Sequence, residues 1–133
     1  MDEKTNMKTI LVIDDDEAVR KAFDLAYRDA PYRVKTVDSG ENGLAMEKEV
    51  GFDLIFLDLK MPGLDGVQTL RGIREIDPDV PVYIVTAFHI EYFEQLSAAL
   101  VDGLHFELLQ KPVGANDLLA VAEGVLGTPS AVS

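Results

Sequence analysis

Three carboxylates, a hydroxyl and an ammonium stand just beyond apolar runs in this chain. Asp14 and Asp15 follow Ile10-Leu-Val-Ile13, and Asp58 follows Leu54-Ile-Phe-Leu57. Thr86 follows Val82-Tyr-Ile-Val85, and Lys111 lies two residues past Phe106-Glu-Leu-Leu109. Short runs rich in Ile, Val and Phe suit strands buried on both faces of a parallel sheet. Such sheets collect ligands beyond the carboxyl ends of their strands, so these five groups can converge on one cleft. Three carboxylates that close repel one another unless a cation neutralises them. A hard divalent ion does this, and Mg2+, with Mn2+ as second choice, leaves room for waters and a phosphate. Thr86 offers a hydroxyl and Lys111 a mobile charge, both matched to a phosphoryl group. Taken singly, Asp14 could start a solvated helix, Thr86 could merely end a strand, and Lys111 could be a surface lysine. The joint placement carries the inference.

The elements that must position these groups can be read in order. Residues 1–8 are polar and charged, a flexible lead with no secretory signal. Thr9 to Ile13 is a strand. After it, Val19, Ala22, Phe23 and Ala26 recur at helical spacing, with Asp15 or Asp16 as cap, Glu17 in the positive first turn and Pro31 as stop. Tyr32 to Val37 reads as an edge strand with one wetter face. Ser39 opens a helix running to Val50 and closed by Gly51. The Asp58 strand must end there, because Pro62-Gly63 cannot continue a ladder.

Beyond a second turn at Asp65-Gly66, a helix turns Val67, Leu70, Ile73 and Ile76 inward and ends before Pro78. Val82 to Val85 is buried strand. Ile90 to Val101 can form a helix with Phe93, Leu96 and Leu100 on one face. Phe106 to Leu109 is the last strand. Asn116 caps a final helix carrying Leu118, Leu119, Ala122, Val125 and Leu126, and residues 127–133 form a loose tail. Five strands alternating with five helices over residues 9–126 predict one doubly wound α/β domain with right-handed crossovers.

Composition narrows the function. Apolar residues make up 47%, enough for one core in 133 residues, and no run approaches the length that spans a bilayer, so no membrane role is expected. The net charge of −12 argues against direct nucleic-acid binding, which needs clustered Lys and Arg. With no cysteine, disulfides and thiolate metal sites are excluded, which fits a reducing cytoplasm.

The runs Ile10-Leu-Val-Ile-Asp-Asp-Asp16, Leu57-Asp58 with Met61-Pro62-Gly63, Val85-Thr86-Ala87 and Lys111-Pro112 closely resemble those of bacterial two-component response-regulator receiver domains. The resemblance implies a flavodoxin-like five-stranded parallel sheet of order 2-1-3-4-5 flanked by five helices. It implies that Asp58 is the phosphoacceptor, served by a sensor histidine kinase or a histidine phosphotransfer domain. It further implies that Asp15, Asp58 and the Lys60 backbone carbonyl ligate Mg2+, with Asp14 acting through water. Thr86, Ala87 and Lys111 would hold the phosphoryl group, and a cis peptide is expected between Lys111 and Pro112. A receiver assists its own phosphorylation and dephosphorylation without being an enzyme. The helix at Ile90 to Val101 and the last strand would report the change and could pair two copies as a homodimer. Two departures stand out. Leu108 occupies the position where receivers commonly place Tyr or Phe, and the Thr86 to Lys111 stretch is a few residues longer than usual. The chain reads either as a stand-alone receiver or as one cut from a longer protein.

Three other readings compete with this one. Asp14-x-Asp16 faintly resembles the first motif of haloacid-dehalogenase-type phosphatases, but Ala18 replaces the usual Thr or Val and no paired acids follow Lys111. A Ca2+ loop fails on spacing, since neither acidic cluster places Gly sixth and Glu twelfth. A degenerate receiver acting purely as a phosphorylation-independent binding module is the alternative that Leu108 keeps open, with the complete set of acids, threonine and lysine arguing against it. His89 and His105 lack metal-ligand spacing.

Overall fold

The structure, a computed structural model, describes residues 7–127. Most of the expected lead at 1–8 and tail at 127–133 lies outside those residues. Five strands alternate with five helices: β1 (Lys8–Ile13), α1 (Glu17–Ala26), β2 (Tyr32–Val37), α2 (Gly40–Glu49), β3 (Leu54–Leu57), α3 (Gly66–Ile76), β4 (Val82–Thr86), α4 (Phe93–Val101), β5 (Glu107–Gln110) and α5 (Ala115–Leu126). All strand pairs are parallel, in the order 2-1-3-4-5. Among the described residues no helix is long and apolar enough to cross a membrane.

Strand alternation splits the core into two layers. Leu11, Ile13, Ile55, Leu57 and Ile84 face α2, α3 and α4, where Leu70, Ile73, Leu96 and Ala99 meet them. Ile10, Val12, Leu54, Phe56 and Val85 face α1 and α5, meeting Phe23, Leu118 and Ala122. Consecutive strand residues point to opposite faces, so the central strands must be apolar throughout.

Helix starts follow local chemistry. Asp16 caps α1, its side chain accepting from the Ala18 N–H at 2.9 Å. Ser39 accepts from Asn42 to open α2. Asp65 and Gln68 bond reciprocally as a capping box before α3. Where the structure departs from expectation, packing decides. Helix α1 already ends at Ala26, ahead of Pro31, with the Tyr27 N–H bonded back to Phe23. The N-cap of the final helix is Gly114 rather than Asn116, so α5 starts without a side-chain cap. On α4, Leu96 and Ala99 are the buried residues, while Phe93 and Leu100 face solvent. Ile76, expected inside, is half exposed at the end of α3.

One acid lies in the core. Glu47 of α2 is buried, and its Oε1 has no hydrogen-bond partner. Burial first, then the charges of Asp77 and Asp53, push its carboxyl up to about 7, with the Phe52 amide and Arg74 pulling the other way. A carboxyl with a raised folded pKa is neutral in both states at acid pH and costs stability as pH climbs through that window. Glu47→Gln is therefore expected to raise stability by roughly 2 kcal/mol at pH 8, with the gain vanishing near pH 4. Urea unfolding at the two pH values measures it.

Candidate functional site

The sheet register delivers the polar groups. Ile13 pairs with Leu57 and Leu57 with Ile84, so β1, β3 and β4 finish close together. The ladder then continues one step past the strands. The Asp14 N–H donates to Val37 O at 3.1 Å, Asp58 N–H to Ile13 O at 2.9 Å and Lys111 N–H to Thr86 O at 3.0 Å. Asp14, Asp58 and Lys111 are thus each tethered by their backbone to the neighbouring strand. Gly66 adds a close approach behind the site, its N–H donating to Leu59 O at 2.7 Å.

The side chains meet. One carboxylate oxygen from each of Asp14, Asp15 and Asp58 lies within 4.8 Å of the others. Lys111 Nζ donates to Asp14 Oδ2 at 3.0 Å and is ion-paired with Asp58 Oδ1 at 3.5 Å, too long for a hydrogen bond there. The other Asp14 oxygen accepts from the Asp16 N–H at 2.9 Å. Asp14 and Asp58 are buried, whereas Asp15 is exposed at the mouth. Burial, reinforced by the Asp14 charge, pushes the Asp58 carboxyl up to about 6 against the pull of Lys111 and the Leu59 amide. Burial alone would lower the Lys111 ammonium. Its hydrogen bond to Asp14 and the charges of Asp14 and Asp58 outweigh that and hold it above its ordinary value.

This donor set fits a hard divalent cation: three carboxylates supply oxygen only, and Asp58 Oδ1 is a buried oxygen without a hydrogen bond. Thr86 is fully buried at the end of β4, and its hydroxyl accepts from the Phe88 N–H at 2.9 Å. Ala87 beside it is exposed. The Lys111–Pro112 peptide is cis.

One member, Arg20, and one contact, that of the Lys60 side chain, escape sequence reading. Arg20 of α1 donates to the Asp14 backbone oxygen at 2.8 Å and braces the β1 end. No spacing rule marks an arginine six residues after an aspartate. Lys60 extends over the Phe88 ring, 4.6 Å from its centroid, and lies 3.8 Å from Glu91. It thereby links the β3–α3 and β4–α4 loops across the mouth.

Residues 10–123 match the response regulator receiver domain family. The chain belongs to that family. The receiver is 32% identical over 120 residues to the response regulator receiver protein CpdR of Brucella abortus, covering 90% of this chain and 98% of CpdR. It is 42% identical over 81 residues to the transcriptional regulatory protein AfsQ1 of Streptomyces coelicolor, covering 61% of this chain and 36% of AfsQ1. The receiver thus spans about a third of AfsQ1 but nearly all of CpdR. A crystal structure of a CheY-like receiver domain protein from Methanospirillum hungatei superposes with a TM-score of 0.80 at 26% identity, covering 89% of this chain and 92% of that one. The three-aspartate pocket of this two-component signalling domain fits a phosphoacceptor. On the last strand Leu108 is partly exposed, while Phe106, just before β5, packs against the α2–α4 side of the core.

Proposed function

We propose that Asp58 accepts a phosphoryl group from a phosphohistidine of a sensor histidine kinase or a histidine phosphotransfer domain. The observation that carries this reading is the buried Asp58 carboxylate, lacking a hydrogen bond on Oδ1 and flanked by Asp14, Asp15 and Lys111. An Asp58 oxygen attacks phosphorus, the P–N bond breaks, and imidazole leaves, forming a mixed anhydride. Asp15, Asp58 and the Lys60 carbonyl would hold Mg2+ directly and Asp14 through water. The ion, when bound, neutralises charge on the transferring oxygens. Lys111 pairs with one phosphoryl oxygen, and the Thr86 hydroxyl and Ala87 amide serve others. The domain helps its own phosphorylation and dephosphorylation but turns over no separate substrate, and we place it in the cytoplasm. Incubation with acetyl phosphate and Mg2+, read by intact mass, should add one phosphoryl group, and EDTA should prevent it. An unmodified mass with Mg2+ present would refute the reading.

Lys60 and Phe88 cover the site mouth, where a hydrolytic water must enter. Lys60→Ala and Phe88→Ala are each expected to speed loss of the phosphoryl label several-fold, on the order of 1 kcal/mol of barrier. Label lost no faster than from the parent would refute it. For output, α4 and β5 would form the reporting surface. A second copy is the weaker occupant, because the segment between Thr86 and Lys111 carries acids and no Lys or Arg.

A further inference from the structure

The segment that joins β4 to α5 has an unusual make-up. Between Thr86 and Lys111 stand Glu91, Glu94, Asp102 and Glu107, with no lysine or arginine. The same segment leaves large apolar side chains in solvent: Ile90 is 79% exposed, Phe93 67% and Val101 86%. Ile90, Glu91, Phe93, Glu94 and Gln95 line one open depression, so the apolar groups and acids share a surface. Two of the four acids have cations, Arg71 on Asp102 at 2.9 Å and Lys60 on Glu91 at 3.8 Å. Among the described residues Glu94 and Glu107 have none.

Apolar anchors beside one uncompensated acid, Glu94, and one weakly paired acid, Glu91, call for a partner with the opposite charge and a matching apolar stripe. A second copy brings acids against acids, with −12 on each molecule. Lys60 ties this surface to the phosphorylation site. It lies two residues beyond Asp58, and its pair with Glu91 is half exposed, hence weak. A phosphoryl group on Asp58 adds about −1.5 to −2 charge nearby and competes for that lysine.

We infer that the Ile90–Phe93 surface docks a cationic amphipathic segment of a partner protein, and that Lys60 masks Glu91 until Asp58 is phosphorylated. This rests on the phosphoacceptor reading, and the two can fail separately. Release of Lys60 exposes a further acid beside Ile90 and Phe93, so affinity rises on phosphorylation without any rebuilding of the core.

The test is fluorescence anisotropy with a labelled Leu/Lys helix-forming peptide of about twelve residues. A scrambled Leu/Lys peptide and a Leu/Glu peptide of the same pattern are the controls. Intact mass fixes the phosphorylation state in every sample, so a failure to phosphorylate is seen directly while the unphosphorylated arms still test the surface. The patterned Leu/Lys peptide should bind the phosphorylated protein about three- to fivefold more tightly than the unphosphorylated one. Phe93→Ser should weaken binding at least about tenfold, and its exposure makes misfolding no explanation. Glu94→Gln should also weaken it, whereas Asp29→Asn, beside the opposite edge strand β2, should not. Unphosphorylated Lys60→Ala should bind like the phosphorylated parent. The inference is overturned if the scrambled or Leu/Glu peptide binds equally well, or if Asp29→Asn weakens binding as much as Glu94→Gln. It is also overturned if Lys60→Ala keeps the parental affinity, or if this face instead pairs two copies of the chain.

Discussion

Asp58→Asn is expected to abolish the phosphoryl adduct and, in chelator at pH 8, to stabilise the protein by about 1–3 kcal/mol. The two effects share a cause. Asp58 is a buried carboxylate beside Asp14, held up to about 6 from an ordinary 3.8, and its Oδ1 has no hydrogen bond. Well below pH 3.8 the carboxyl is neutral in both folded and unfolded chains, and even at pH 4 most of the difference is gone, so the substitution changes little there. Between pH 4 and 6 the unfolded chain ionises first, and native stability falls. Above that window the full cost is present, and a neutral amide avoids it. Lys111 keeps its hydrogen bond to Asp14 in the variant, so the ammonium is not stranded. Mg2+ should narrow the gap, because a cation that binds only the folded parent stabilises it by mass action. Intact mass and urea unfolding at pH 4 and pH 8, with and without Mg2+, measure all of this. A persisting adduct would move the acceptor elsewhere. An Asn variant less stable than the parent at pH 8 would show that the Lys111 ion pair outweighs burial.

The site was legible because its signal is a change of residue type at a strand end. An apolar run that stops at Asp14, Asp58 or Thr86 can be located without knowing the partner strands, and parallel topology then forces the ends together. Helix faces were harder to read. The α4 sequence FEQLSAALV is apolar on more than one side, so its periodicity does not select a face. Ala99 is buried there because a small side chain lets the helix sit close to the sheet, leaving Phe93 and Leu100 outside. The buried Glu47 was invisible for the opposite reason, since an acid on a short helix reads as solvent-facing. Contacts such as Arg20 on the Asp14 carbonyl and Lys60 on Glu91 join loops whose approach only the folded sheet defines.

Gly66→Ala is expected to cost about 2–4 kcal/mol and to slow phosphorylation by acetyl phosphate at least about tenfold. Gly66 is the first residue of α3, and its φ is not among the positive values, so conformation is not what requires glycine. Space is. A Cβ there would collide with the Asp58 carbonyl oxygen and sit 2.6 Å from Leu59 Cα, both backbone atoms that cannot swing aside. The helix must back away from the strand end, loosening Val67 and Leu70 in the core and shifting Asp58 and its carboxylate. One methyl group therefore acts on stability and chemistry together. Gly124→Ala is the matched control: it lies inside α5 with nothing within 4 Å of its added Cβ. There the helix preference of alanine should add up to about 1 kcal/mol and leave phosphorylation unchanged. Thermal unfolding and the intact-mass time course on both variants decide the matter. If Gly66→Ala matched the parent in both, the packing of α3 against the Asp58 backbone would not be what fixes that carboxylate in place.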